Sequence, residues 1–225
     1  MTRLRFATPD GGEIFPAVRQ LLLAGYSGRS EIDVDKHLAE MRALGVAVPQ
    51  KVPVFHPAMT CLLTQGDRVE VIGPDSRPEV EFVLFACEGT DYVTVGNDQF
   101  DLATERHYSA QKSKSLCQKV VASTAWPLSE VRGHWDRLVL ELRCGDRLLQ
   151  AGSVDGILTP ASLVERVQKQ QAFNRDHGIL FSGTVPMLAP VEHDMLDFSI
   201  ALRDPVLGRV IGCDFQVVDI TCRVG

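Results

Sequence analysis

Arg77-Pro78-Glu79-Val80-Glu81-Phe82-Val83-Leu84-Phe85-Ala86 is an apolar run of strand character that opens on two carboxylates one residue apart. A strand sends residues i and i+2 to the same face, so Glu79 and Glu81 would stand side by side there. Like charges that close raise one another's pKa or recruit a cation, and an oxygen-only site suits a hard divalent ion such as Mg²⁺ or Mn²⁺. On Glu-x-Glu alone the plainer reading is the better one: two acids marking the solvated start of a strand.

The next stretch changes the balance. Tyr92-Val93-Thr94-Val95-Gly96-Asn97-Asp98 is a second short apolar strand that ends on a carboxylate, so a third oxygen ligand is available where a neighbouring strand runs out. Beyond it lie a basic stretch, Gln111-Lys112-Ser113-Lys114, and another apolar strand, Val120-Val121-Ala122. In this order the residues resemble the fumarylacetoacetate hydrolase superfamily, metal-dependent enzymes acting on small 2-oxo acids and 1,3-dicarbonyl compounds.

The resemblance covers the chain from about Leu22 onward. It implies a mainly β fold with a few helices, a mixed β-sandwich roll. By residue it matches Glu79, Glu81 and Asp98 to the metal carboxylates and Lys112 to the active-site lysine, with Lys114 a rival that could also touch substrate. Ser182-Gly183-Thr184 falls where the superfamily has Thr-Gly-Thr-Pro, so Gly183 and Thr184 match the substrate-binding turn and Thr184 the acid-binding threonine. His37-Leu38-Ala39-Glu40 matches the His-x-x-Glu of a helical lid. It further implies Mg²⁺ or Mn²⁺ as cofactor, a small-molecule substrate and a homodimer. The chain departs from the family in two places. Glu81 and Asp98 stand closer in sequence than in typical members, and Gln99-Phe100-Asp101-Leu102 replaces the usual Arg-Asp-x-x-Gln behind the metal aspartate, which marks a divergent branch.

The residues themselves bound the rest. With 225 residues, 45% of them hydrophobic and 23% charged, the chain can bury a core and needs one domain only. Residues 1–50 would form N-terminal strands and the lid, residues 51–225 the catalytic β core. A net charge of −6 and no Lys/Arg run longer than a pair argue against nucleic acid as a partner. No apolar run is long enough to cross a bilayer, which points to a cytoplasmic protein without a membrane partner. Six cysteines without a Cys-x-x-Cys pair read as inert core thiols rather than a zinc or disulfide framework.

Along the chain, Asp33 to Leu44 reads as a helix capped by Asp33 or Asp35, with Leu38, Met41 and Leu44 on one stripe. His37 and Glu40, at i and i+3, adjoin on its face, where the carboxylate can orient the imidazole and raise its basicity. Gly25-Tyr26-Ser27-Gly28 almost spells a nucleophile elbow, but its second glycine comes one place early. Strands are expected at Val52 to Phe55, Arg68 to Gly73, Val80 to Cys87, Tyr92 to Gly96 and Lys119 to Ala122, and Arg137 to Arg143 with Arg147 to Gly152 should form a hairpin. His56, before Pro57, could line the cleft mouth. Thr159-Pro160 opens a helix expected to reach Arg175 and to cover the open side of the sheet.

These readings converge on a metal-dependent hydrolase that cleaves a C–C bond in a 2-oxo or 1,3-diketo acid, acylpyruvase-like. Decarboxylation, hydration or isomerisation on the same site is the alternative. From another class, a catalytically inert small-molecule-binding protein could use the same fold.

Overall fold

A computed structural model describes residues 2–43 and 48–221, apart from the side chains of His37, Glu40 and Met41. The run that begins at Val80 becomes a strand, Val80–Cys87, paired antiparallel with Thr90–Asp98 in unbroken register from Val80 opposite Asn97 to Cys87 opposite Thr90. The two-residue connection is Glu88-Gly89, both with positive φ (51° and 79°). Such a turn matches the twist of the strands it joins.

These two strands form the middle of an eight-stranded mixed sheet. On one side follow Gly178–Thr184, Gln20–Gly25 and Val54–Ala58, and on the other Lys119–Val121 and Leu63–Thr64, with Trp126–Pro127 paired to the outer half of Thr90–Asp98. A second sheet of five strands runs Arg147–Ser153, Val139–Cys144, Asp197–Asp204, Arg209–Asp219, Arg68–Val71.

Apart from Glu81, the central strand is apolar because both its faces are covered. Phe82 and Leu84 point into a large cluster shared with the five-stranded sheet through Leu140, Leu142, Ile200, Leu202 and Phe215. Phe82 meets Trp135 edge-on at 4.9 Å between ring centroids. Val83 and Phe85 point the other way, into a smaller cluster with Leu21, Leu23, Ile179 and Phe181, closed by Phe6 of the N-terminal hairpin, whose ring stacks on Phe85 at 4.5 Å. Glu79 and Glu81 share the parity of Val83 and Phe85, so the acidic residues lie where this second face runs out.

Helix α1 is Glu31–Ala43. It starts two residues before the expected Asp33, because Ser30 Oγ accepts from the Asp33 amide at 3.3 Å and caps it. Two short helices, α2 (Leu102–His107) and α3 (Ala110–Lys114), replace the basic loop expected between the Asp98 strand and Lys119. Asp101 caps α2 and Ser109 caps α3. Helix α4 (Leu128–Val131) is continued by a 3-10 segment, Arg132–Arg137. Helix α5 (Pro160–Gln170) opens at Thr159 as expected, with Thr159 as N-cap, and sends Leu163 and Val167 into the shared cluster. It stops at Gln170 rather than Arg175, since the Asn174 amide turns to Gln20 Oε1 at 2.7 Å. The strand expected from Val52 begins at Val54 and runs to Ala58. The 139–153 hairpin forms as expected. No helix among the described residues is long and apolar enough to cross a membrane.

Candidate functional site

Glu79, Glu81 and Asp98 come together. Each offers a carboxylate oxygen, and these atoms lie within 4.8 Å of one another. Cross-strand pairing brings this about. Glu81 stands opposite Gly96, and the Asp98 amide donates to the Glu79 carbonyl at 2.9 Å, so that Asp98 falls beside Glu79 on the face that carries Glu81. Asn97 fastens the corner: its Oδ1 accepts from the Glu79 amide at 2.9 Å, and its Nδ2 donates to Gln99 Oε1 at 2.9 Å.

Two lysines meet these acids. Lys119 lies directly across the sheet from Asp98, and its Nζ is 2.7 Å from Asp98 Oδ1 while donating to the Gln99 carbonyl. At that distance Oδ1 is paired with the Lys119 ammonium inside the protein. Lys114 Nζ lies 2.5 Å from Asp98 Oδ2 and 3.1 Å from Glu79 Oε2, with the Phe100 ring 5.4 Å away. Asp98 and both ammonium groups are buried; Glu79 keeps a quarter of its side chain in solvent.

The electrostatics follow from this packing. Burial, and then the charges of Asp98 and Glu79, push the Glu81 carboxyl well above the usual range, against Lys114 and the Gly183 amide, which donates to Glu81 Oε2 at 2.8 Å. Burial pushes Asp98 the same way, but Lys114 and Lys119 outweigh it and hold the group below its ordinary value. For Lys114, burial favours the neutral amine. Asp98, Glu79 and Glu81 overcome it and raise the pKa well above the lysine norm.

The remaining expected residues fall as follows. Lys112 is exposed on α3, where its amide donates to the capping Ser109 Oγ. Residues two apart on a helix point to opposite sides, so the turn that buries Lys114 expels Lys112, and the lysines that meet the acids are Lys114 and Lys119. Thr184 pairs with Glu81, but its hydroxyl donates to the Val80 carbonyl at 2.7 Å and accepts from Gln150 Nε2 at 2.8 Å. Gly183, with φ of 88°, sits at a register shift that turns its amide onto Glu81. His37 and Glu40 lie on α1, but their side chains lie outside the described residues, so the dyad is neither assembled nor dispersed here. His56 is half-buried beside the site: burial, then the Lys114 charge, holds its pKa below the usual histidine value. Ser27 is buried and donates to the Ser182 carbonyl at 2.5 Å, a structural role in place of a nucleophile.

Sequence reasoning missed Lys119 and Gln150. Lys119 was legible as the first residue of a strand, but its partner depends on register. Gln150 bridges the Val80 amide, Thr184 and the Val185 carbonyl from the second sheet, a role no local pattern announces.

The profile of the family described as "Protein of unknown function (DUF2848)" matches residues 24–215. The chain belongs to the DUF2848 family. A search of curated proteins gives no significant match. Among solved structures, this DUF2848 chain is similar to a protein provisionally described as a fumarylacetoacetate isomerase/hydrolase from Oleispira antarctica (TM-score 0.67, 14% identity, covering 97% of this chain and 100% of that one). It is similar to a fumarylpyruvate hydrolase from Pseudomonas aeruginosa solved with Mn²⁺ and pyruvate (TM-score 0.61, 14% identity, 97% of each chain). It is also similar to a 5-carboxymethyl-2-hydroxymuconate delta-isomerase from Mycobacterium smegmatis (TM-score 0.62, 13% identity, 97% of this chain and 99% of that one). The DUF2848 chain thus has the fumarylacetoacetate hydrolase fold that its sequence resembles.

Proposed function

We propose that this chain is a divalent-metal-dependent enzyme that hydrolyses a C–C bond in a small 2-oxo or 1,3-diketo acid. One observation carries the reading: three carboxylates from paired strands converge on a buried point that also holds two lysines. The donor set fits Mg²⁺ or Mn²⁺, being all oxygen. Such an ion, held by Glu79, Glu81 and Asp98, supplies a Lewis acid for the keto oxygen and carboxylate of a chelating substrate.

The chain's own residues do the rest. Lys119, fixed on Asp98 and the Gln99 carbonyl, keeps a positive charge beside the site to offset negative charge developing on the substrate's oxygen. His37, oriented by Glu40, would take a proton from the attacking water, a role that rests on the resemblance and on the i, i+3 spacing. Thr184 can serve the substrate's acid group only by releasing the Val80 carbonyl. Decarboxylation, hydration or isomerisation would use the same charge arrangement without delivery of water, and an isomerase already occurs on this fold. Homodimer formation belongs to the same proposal and is read by light scattering.

The test is a turnover screen over acylpyruvates, oxaloacetate and related 2-oxo acids, with Mn²⁺, with Mg²⁺ and with chelator. Metal-dependent release of the cleaved acid supports hydrolysis. Metal-dependent loss of CO₂ or a shifted double bond assigns the lyase or isomerase instead, and binding without turnover in any condition assigns an inert binding protein.

A further inference from the structure

Lys114 occupies ground that a divalent ion would claim. Its ammonium touches two of the three carboxylates, at 2.5 Å from Asp98 Oδ2 and 3.1 Å from Glu79 Oε2, and it is itself buried. Lys119 touches only Asp98, through the other oxygen, and is tied to the Gln99 carbonyl from a strand. The two lysines therefore differ. Lys119 is part of the sheet. Lys114 sits on the last residue of a five-residue helix, on a stem with four rotatable bonds.

Charge balance makes the same distinction. Three carboxylates, one ammonium and a divalent ion are neutral together, whereas keeping both ammonium groups beside the ion leaves a net positive charge in a buried space, where like charges repel strongly. In this paired position the Phe100 ring lies 5.4 Å from Nζ, and Glu105 on α2, whose pKa burial raises while the Lys114 charge opposes the rise, places a further carboxyl near the ammonium outside the three.

We propose that Lys114 is an internal counter-cation that holds the carboxylate site together when no metal is bound and must leave Asp98 and Glu79 for a divalent ion to enter. The inference rests on the metal-site reading above. It assigns Lys114 control of metal affinity, with the lysine acting as an intramolecular competitor whose removal leaves the oxygen ligands intact.

Calorimetric titration of Mn²⁺ into the wild-type protein and into Lys114→Met reads this directly. The expected result is Mn²⁺ binding at least about tenfold tighter in the variant, each tenfold being about 1.4 kcal/mol. A wild-type crystal soaked in Mn²⁺ should show the Lys114 ammonium out of hydrogen-bond reach of Asp98. If Lys114→Met does not fold, the soaked wild-type crystal decides alone. Equal or weaker affinity in a folded variant, or Lys114 still on Asp98 beside a bound ion, overturns the inference while the metal site stands. No Mn²⁺ bound by either protein overturns both.

Discussion

Lys119 and Asp98 face each other across two antiparallel strands, Nζ to Oδ1 at 2.7 Å, with neither side chain reaching solvent. Deleting Lys119 leaves Asp98 with Lys114 alone and the buried Gln99 carbonyl without its donor, a loss of about 1–3 kcal/mol. Lys119→Met should therefore lower unfolding free energy by that order in urea titration, and abolish any metal-dependent turnover. A variant with wild-type stability would show that Asp98 does not depend on this lysine.

Glu81 and His37 separate binding from chemistry. Glu81→Ala should remove divalent-metal binding, because it deletes one of three converging carboxylates. His37→Ala should bind Mn²⁺ like the wild type and lose hydrolysis. Undiminished Mn²⁺ affinity in Glu81→Ala, measured calorimetrically, would reject the ligand set.

Gly96 stands opposite Glu81, and a methyl group there would come within 2.7 Å of the Phe181 ring, 2.8 Å of Val83 Cγ2 and 2.9 Å of the Val120 carbonyl. Overpacking of this kind costs about 1–3 kcal/mol. Gly96→Ala should lower the thermal midpoint and also weaken metal binding, since Asn97 and Asp98 follow directly. A shift in stability with unchanged metal affinity would mean that the strand moves without disturbing the corner.

Away from the site, the Asp204 carboxylate is buried. Burial would raise its pKa, but His134 Nε2 at 3.0 Å and the amides of Leu207 and Val206 at 3.1 and 3.0 Å outweigh that and hold it below its ordinary value. A depressed carboxyl pKa contributes stability above the unfolded value near about 3.9 and loses it as pH falls through the folded value. Urea midpoints should therefore drop below about pH 4, and less steeply in Asp204→Asn, which should also be less stable at neutral pH by about 1–3 kcal/mol. Parallel pH profiles for the two proteins would count against this role for Asp204.

Burial pushes the Cys213 thiol up to about 12 and the Cys117 thiol up to about 11, while Cys61 is exposed. The thiolate is the reactive form. Iodoacetamide at pH 8 should label Cys61 in the native protein and spare Cys117 and Cys213, as read by peptide mass spectrometry. Fast native labelling of Cys213 would contradict its packing.

The acidic corner was legible because it follows from a period of two and from where two apolar runs stop. Glu79, Glu81 and Asp98 needed only strand alternation and a hairpin to meet. The lysines were harder. Choosing Lys114 over Lys112 requires the phase of a five-residue helix, and Gln111 to Ser115 has no apolar periodicity to reveal that a helix exists. Lys119 meets Asp98 through strand register, which forms only when segments beyond the hairpin pair. Gln150 reaches the site from the other sheet, at a distance in sequence that local pattern does not span. The helix ends at Ser30 and Gln170 shifted for a similar reason: a cap hydroxyl and a long-range amide bond override the hydrophobic stripe.

The register shift where Gly178–Thr184 meets Val80–Cys87 turns the Gly183 amide onto Glu81, a residue 102 positions earlier. The carboxylates leave the ribosome early, but the amide that steadies one of them is synthesised much later. A polypeptide ending before Gly183 would carry all three carboxylates and still lack the amide that holds one of them. The corner is therefore completed by strand pairing across most of the sequence and not by its own hairpin alone.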